Sequence, residues 1–273
     1  MKKKRWIATF VLAAVLLAML AYPALGQSIY YVKHDASGSN DGSSWADAYT
    51  HLQDALGAAQ SGDEIWVAAG VYYPDEGAGQ TDNDQTTTFT LVPGVALYGG
   101  FAGAETTRDA RDWTANVTVL SGDIDGDDGT DAHGVVTDTA NVAGTNAYHV
   151  VTGGGVTETA RLDGFTVTAG HAEGDHHLFE DIGGGMYNVS ASPTLANLTF
   201  SGNQATHDGG GMYNEDSSPT LTNVAFITNA STTSYYGGGM SNRVGSNPGL
   251  TDVTFTANEA NYGGGMANDS NSL

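Results

Sequence analysis

Between Leu162 and Phe255 the apolar positions recur in one pattern: Leu, a step of three to an apolar residue, then a step of two to another. Its copies are Leu162/Phe165/Val167, Leu195/Leu198/Phe200, Leu221/Val224/Phe226 and Leu250/Val253/Phe255. Each copy also holds Gly, Asn or Asp at two places. The first carries Gly164, Asn197, Asn223 and Asp252, and the second carries Gly170, Asn203, Asn229 and Asn258. A glycine block with methionine separates the copies: Gly183 to Asn188, Gly209 to Asn214, Gly237 to Asn242 and Gly263 to Asn268. Successive methionines (Met186, Met212, Met240 and Met266) lie 26, 28 and 26 residues apart. A fixed period of this size predicts stacked units rather than one globular core.

Side chains on one face of a strand recur every second residue, so the step of three must contain a bend. Gly, Asn and Asp suit that bend because they adopt left-handed backbone angles at least cost. The second Gly/Asn position, three residues after the last apolar one, reads as another corner. Each unit is then a set of short strands with Leu, Val or Leu, and Phe pointing inward. Stacked units form a parallel β-solenoid with layers about 4.8 Å apart, in which like residues lie over like. Helical repeats of similar period are excluded, since each glycine would cost about 1 kcal/mol relative to alanine and three stand in a row.

The N-terminal half is less regular. Tyr30-Tyr31-Val32 predicts a strand, and a turn-rich stretch follows at Ser37 to Gly42. Leu52, Ala55, Leu56 and Ala59 keep helical spacing within Trp45 to Ala59, and Ser44 with Asp47 resembles a helix-capping pair. That helix is the expected cover for the open end of the solenoid. Strands are expected at Ile65 to Val67, Thr88 to Leu91, Val95 to Tyr98, Val117 to Leu120 and Tyr148 to Val151. Long excursions at 75–85, 101–112 and 122–134 are natural places for function. No closing cap is legible before Leu273, so the sequence reads as a fragment or truncated product.

Lys2, Lys3, Lys4 and Arg5 precede an apolar run from Trp6 to Tyr22, with Pro23 and Ala24-Leu25-Gly26 behind it. This reads as a secretory signal peptide over residues 1–26, the run being shorter than the roughly 20 residues of a spanning helix. Secretion or display at the cell surface is therefore expected, with no membrane span in the mature part. Removal of the signal leaves Lys33, Arg108, Arg111, Arg161 and Arg243 against 31 acidic residues, a net charge of −26. Such a surface repels nucleic acid and anionic lipid and attracts divalent cations. The chain has no cysteine, so stability comes from packing and hydrogen-bond ladders.

The Gly-Gly-Gly-Met blocks followed by Phe200-x-x-Asn203, Phe226-x-x-Asn229 and Phe255-x-x-Asn258 resemble repeats of polymorphic outer membrane proteins. The opening, Asp41 to Trp45 and then Gly62 to Val67, is similar to that of bacterial right-handed β-helix proteins of the pectin-lyase-like fold. Together the two resemblances span most of the mature chain. They imply surface location and an all-β fold, a right-handed parallel β-helix (solenoid) with a short N-terminal capping helix. The hand comes from the resemblance and from the right-handed rule for parallel crossovers. Residues 27–160 would form the cap and irregular layers, and 161–273 the regular repeats.

The fold hosts lyases, hydrolases and non-enzymes, so activity must be argued from residues. A polysaccharide lyase needs a base and cations around a uronate carboxylate. Only Arg161 and Arg243 lie in the regular repeats, and Arg108 and Arg111 flank a loop. Hydrolases of this fold resemble one another in an Asn-Thr-Asp, Asp-Asp, Gly-His-Gly and Arg-Ile-Lys set, of which only Asp127-Asp128 is present. No Gly-x-Ser-x-Gly elbow occurs. His171, Asp175, His176, His177 and Glu180 fall in an insertion of seven residues, read as a solvated polar loop with metal binding the rival reading. His149 is expected to pack or hydrogen-bond.

The densest group of hard oxygen ligands is Asp123, Asp125, Asp127, Asp128 and Asp131, with glycines between them. Alternating carboxylates with turning glycines suit calcium, although the run misses the EF-hand pattern at Asp128 and Gly134. The sequence therefore predicts an exported, non-catalytic scaffold for adhesion or binding. Its partner would be an extracellular glycan or a surface protein, and calcium its candidate ion. The alternative is a lyase or glycoside hydrolase acting through the 75–135 loops on an extracellular, uronate-containing glycan.

Overall fold

The alternation of inward Leu, Val and Phe with outward Thr and Asn builds strands that pair parallel to their counterparts one period away. The computed structural model describes residues 27–233, 235–269 and 271–272. The expected signal peptide, 1–26, lies outside the described residues.

The chain is mainly β, and its named strands pair in parallel within three sheets. The largest sheet runs from Ile29–Val32 through Glu64–Ala68, Ala96–Phe101 and Arg161–Asp163 to Thr194–Ser201, Thr220–Ile227 and Gly249–Thr256. A second sheet stacks Phe89–Thr90, Val151–Thr152, Met186–Val189, Met212–Glu215, Met240–Arg243 and Met266–Asn268. A third and shorter one holds His171–Ala172, Gln204–Ala205 and Ala230–Ser231. These sheets curl around a main apolar core, with a second cluster at Trp66, Tyr98 and Phe101, an arrangement compatible with a β-helix or solenoid.

Register places like over like. Leu195, Leu221 and Leu250 pair in sequence, as do Leu198, Val224 and Val253, and Phe200, Phe226 and Phe255. The Phe226 ring lies 4.9 Å from Phe200 and 5.0 Å from Phe255, nearly parallel to both. The four methionines form another inward column. The glycine blocks are required by how close the next layer comes. Gly209 has φ +67°, and a Cβ on Gly210 or Gly211 would meet the Ala230 or Gly239 carbonyl oxygen at 2.2 and 2.5 Å.

The first bend is where the spacing predicts it: Gly164, Asn197, Asn223 and Asp252 all have positive φ. The second corner is displaced by one residue. Left-handed angles occur at Ala169, Gly202, Thr228 and Ala257, whereas Asn203, Asn229 and Asn258 are not left-handed. These asparagines instead form a ladder inside the fold. Asn203 Nδ2 donates to Asn229 Oδ1 and Asn229 Nδ2 to Asn258 Oδ1, each at 2.9 Å. Asn229 Nδ2 also donates to the Phe200 carbonyl, and Asn229 Oδ1 accepts from the Asn203 N–H. A second ladder links Asn188, Asn214, Asn242 and Asn268 at 2.7–2.9 Å. Buried amides are tolerated here because each layer supplies partners for the next.

The helix is shorter and later than the spacing implies. It spans Leu52–Ala58, after the first strand, with no side-chain cap on its first turn. Ser44 and Asp47 do bond reciprocally, through Ser44 Oγ to Asp47 Oδ2 at 3.0 Å and Asp47 N to Ser44 Oγ at 3.1 Å. They close a bend rather than start a helix, because Asp47 Oδ1 is drawn back to the Ser39 N–H. Leu52, Ala55 and Leu56 are buried and pack towards Ile29–Val32, Glu64–Ala68 and Phe89–Thr90.

Two substitutions test this packing. Phe226→Ala is expected to lose about 3–5 kcal/mol in urea unfolding, because it removes a fully buried ring from the middle of a stack. Asn229→Gly would improve a left-handed corner, but in a ladder it orphans the Asn203 N–H and removes one hydrogen bond from the Phe200 carbonyl. A loss of about 1–3 kcal/mol for the orphaned group is expected. Unchanged stability would return the corner to residue 229.

Candidate functional site

Three places bring chemically useful side chains together, and each is set by a different part of the chain. The first is a groove along the bend of the large sheet. Because Asn197, Asn223 and Asp252 turn the strand, a concave strip follows the stacking direction, lined also by Thr166, Thr199 and Thr254. Its volume is about 370 Å³. The 101–117 excursion closes one end with Trp113, which is 37% exposed. Asn223 Nδ2 donates to Asn197 Oδ1, and Asn197 Nδ2 to Asp163 Oδ1, both at 2.8 Å.

That amide row ends on an ion pair. Asp163 is buried and receives Arg111 at 2.7 Å on one oxygen and Arg161 at 2.6 Å on the other. Burial pushes the Asp163 carboxyl up, but hydrogen bonds from Arg111, Asn197 and Arg161 outweigh it and hold the group below its usual range. Arg111 also donates to the Gly99 and Asp163 carbonyls and lies 5.1 and 5.0 Å over the Tyr98 and Trp113 rings. Arg108 pairs with Glu64 at 3.0 Å. Both arginines of the excursion are therefore spent in fixing it to the sheet. They do not meet several aspartates in a groove, the arrangement a lyase would need.

The second place is the acidic loop. Residues 122–129 lie beside 141–147, joined by the Asp123–Asn146 bridge and by Gly129 N donating to the Asn141 carbonyl. Ligand oxygens of Asp123, Asp127 and Asp128 come within 4.8 Å of one another. Asp125 adjoins them: a Cβ on Gly144 would sit 2.5 Å from both Asp125 and Asp127 oxygens. Asp131 is turned to its own tight turn, accepting from His133 and Val135 N–H at 2.8 and 3.0 Å. Asn146, fully buried, donates to Asp128 at 2.8 Å and leaves its Oδ1 without a hydrogen-bond partner. The 75–82 excursion adds Asp75, Glu76 and Asp82 to a cleft of about 250 Å³ beside Asp123 and Asp125. Sequence spacing gave no sign of that approach.

Loss of solvation on burial raises Asp128 to about 6, against hydrogen bonds from Ala143 N and Asn146 that lower it. Asp127 is raised as well, by desolvation first and then by Asp125. Crowded carboxylates with an orphaned amide oxygen form a hard-oxygen set of the kind divalent cations use.

The third place is in the histidine-bearing insertion. Of its residues, His176 alone joins a ligand cluster, with Asp181 and His207 as partners. Asp175 caps the turn through His177 N, Glu180 accepts from Asp175 N, and His171 faces Glu173 at 3.6 Å. Asp181 and His207 were missed because they belong to neighbouring layers. Each stands five residues before its methionine, Met186 or Met212, and that alignment was the available signal. His149 is half-buried, stacks on Tyr187 at 4.9 Å, and is pushed down to about 4 by desolvation.

No protein-family model matches the chain, and no curated protein or solved structure matches it either. The resemblances above therefore stand on their residues alone.

The acidic loop sets a pH dependence. Folded Asp128 keeps its proton to about pH 6, whereas the unfolded group releases it near 3.8. The folded state binds more protons in that window, so this group's contribution to stability falls as pH rises through it. Thermal melts of cation-free protein between pH 3.5 and about 7 are expected to show that fall, and Asp128→Asn to flatten it. An Asp128→Asn profile parallel to wild type would remove Asp128 as the cause.

Proposed function

We propose that the protein is an exported right-handed parallel β-helix, displayed or released at the cell surface, that binds an extracellular glycan without chemically changing it. The groove carries this reading. Repeating amides and hydroxyls at the spacing of the layers face a ligand that repeats along its length, and Trp113 offers a flat apolar face at one end. Such pairing of aromatic face and polar row suits sugar rings, which present C–H faces and hydroxyl edges. The groove lining contains no Lys or Arg, and its one charged side chain is Asp252. With a mature net charge near −26, a neutral glycan fits better than a polyuronate.

The opening helix serves in this reading as the N-terminal cover of the stack. Calcium is the ion proposed for the acidic loop, where it would neutralise Asp123, Asp127 and Asp128 and brace the 75–82 excursion. The lyase or hydrolase alternative is less well supported, because Arg108, Arg111 and Arg161 are each engaged with carboxylates of the fold.

Binding to a panel of neutral and uronate-containing oligosaccharides tests the proposal. A neutral oligosaccharide is expected to bind, and Trp113→Ala and Asn223→Ala each to weaken it by about tenfold, equivalent to loss of one good contact of about 1.4 kcal/mol. Chain cleavage of any glycan, or binding untouched by both substitutions, would overturn it.

A further inference from the structure

We propose that His176, Asp181 and His207 form a site for a divalent transition ion of the zinc class, which ties the inserted loop to the stacked layers. This goes beyond the groove reading and does not rest on it.

The layers themselves place two of the ligands. Asp181 and His207 occupy the same position in successive repeats, and the His207 N–H donates to the Asp181 carbonyl at 2.8 Å. Tyr235, at the same position in the following repeat, packs edge-on against the His207 ring at 4.0 Å and fixes its plane. The insertion supplies the third ligand. Its loop closes on itself through Gly174 N to Glu180 O and Glu180 N to Asp175 O, with Phe179 left-handed at φ +62°. That closure brings His176 back over Asp181.

The convergence is unusual for a hydrogen-bonded cluster. His176 Nδ1 lies 2.8 Å from Asp181 Oδ2, and His207 Nδ1 directly contacts the same oxygen. The Asp181 side chain is 3% exposed, and no Lys, Arg or backbone N–H among the described residues donates to it. Its Oδ1 is buried with no hydrogen-bond partner. A buried carboxylate without a cation or full hydrogen bonding is costly. Two imidazole nitrogens and a carboxylate aimed at one point satisfy a dication instead, with Asp181 Oδ1 left to accept from a water bound to the ion.

Imidazole nitrogen selects zinc-class ions over calcium and magnesium, which separates this site from the acidic loop. Three protein ligands leave a fourth position for water. The 67% exposed side chain of His176 leaves the site open to solvent on that side.

The test is zinc titration of the full chain, stripped with chelator, followed by calorimetry and by the visible spectrum with Co²⁺ as substitute. Wild type is expected to take up one zinc ion here and to give a Co²⁺ spectrum of low-coordinate type. His176→Gln and His207→Gln are each expected to weaken zinc binding at least tenfold, whereas Asp128→Asn and Trp113→Ala leave it intact. His176 is exposed, so its variant tests the site even if substitution of buried Asp181 impairs folding. Absence of zinc binding below millimolar concentration, or zinc binding by both histidine variants as tight as that of wild type, would overturn the proposal.

Discussion

The structure depends on one constraint: each layer must repeat the register of its neighbour. Within the stack a buried asparagine finds its partner in the asparagine directly above or below it. Asn203, Asn229 and Asn258 meet this condition, as do Asn188, Asn214, Asn242 and Asn268. The phenylalanine rings impose the same spacing, since their separations of 4.9 and 5.0 Å match neighbouring parallel strands. Where the backbone of the next layer comes closest, only glycine fits, and the triple glycines stand there. Slippage by one residue would expose the rings and strand the amides together, so packing and polar satisfaction enforce a single arrangement.

This constraint explains which features could be read from the chain. The inward columns and the first bend were legible because period, step and residue type all agreed at Asn197, Asn223 and Asp252. The second bend was not, because asparagine serves two purposes that spacing cannot separate. It is favoured in left-handed turns, and it also forms amide ladders. The residues that turn the chain, Ala169, Gly202, Thr228 and Ala257, share no chemistry that would mark them. The Ser44–Asp47 pair was a true local bond read onto the wrong element.

Candidate sites were legible only where their residues are close in sequence. The acidic loop announced itself by density, yet Asn146 and the 75–82 carboxylates that complete its surroundings come from other excursions. The groove was hidden because Trp113 reaches it from the 101–117 excursion, far in sequence from Asn197, Asn223 and Asp252. His207 lies one repeat from Asp181, so only columns drawn across the layers would have joined them. The groove and the His176–Asp181–His207 cluster are assembled along the stack, perpendicular to the strands, where sequence neighbours say least.

The most direct measurement of the register is disulfide cross-linking, which the cysteine-free chain makes unambiguous. Thr222 pairs with Thr251 across neighbouring layers, and both are exposed. The Thr222→Cys/Thr251→Cys protein is expected to oxidise readily to an intramolecular disulfide, since opposed parallel positions about 4.8 Å apart fall within bridging range. Thr222→Cys/Thr254→Cys, offset along the strand, is expected not to. Preferential closure of the offset pair, or no closure of either, would contradict in-register stacking.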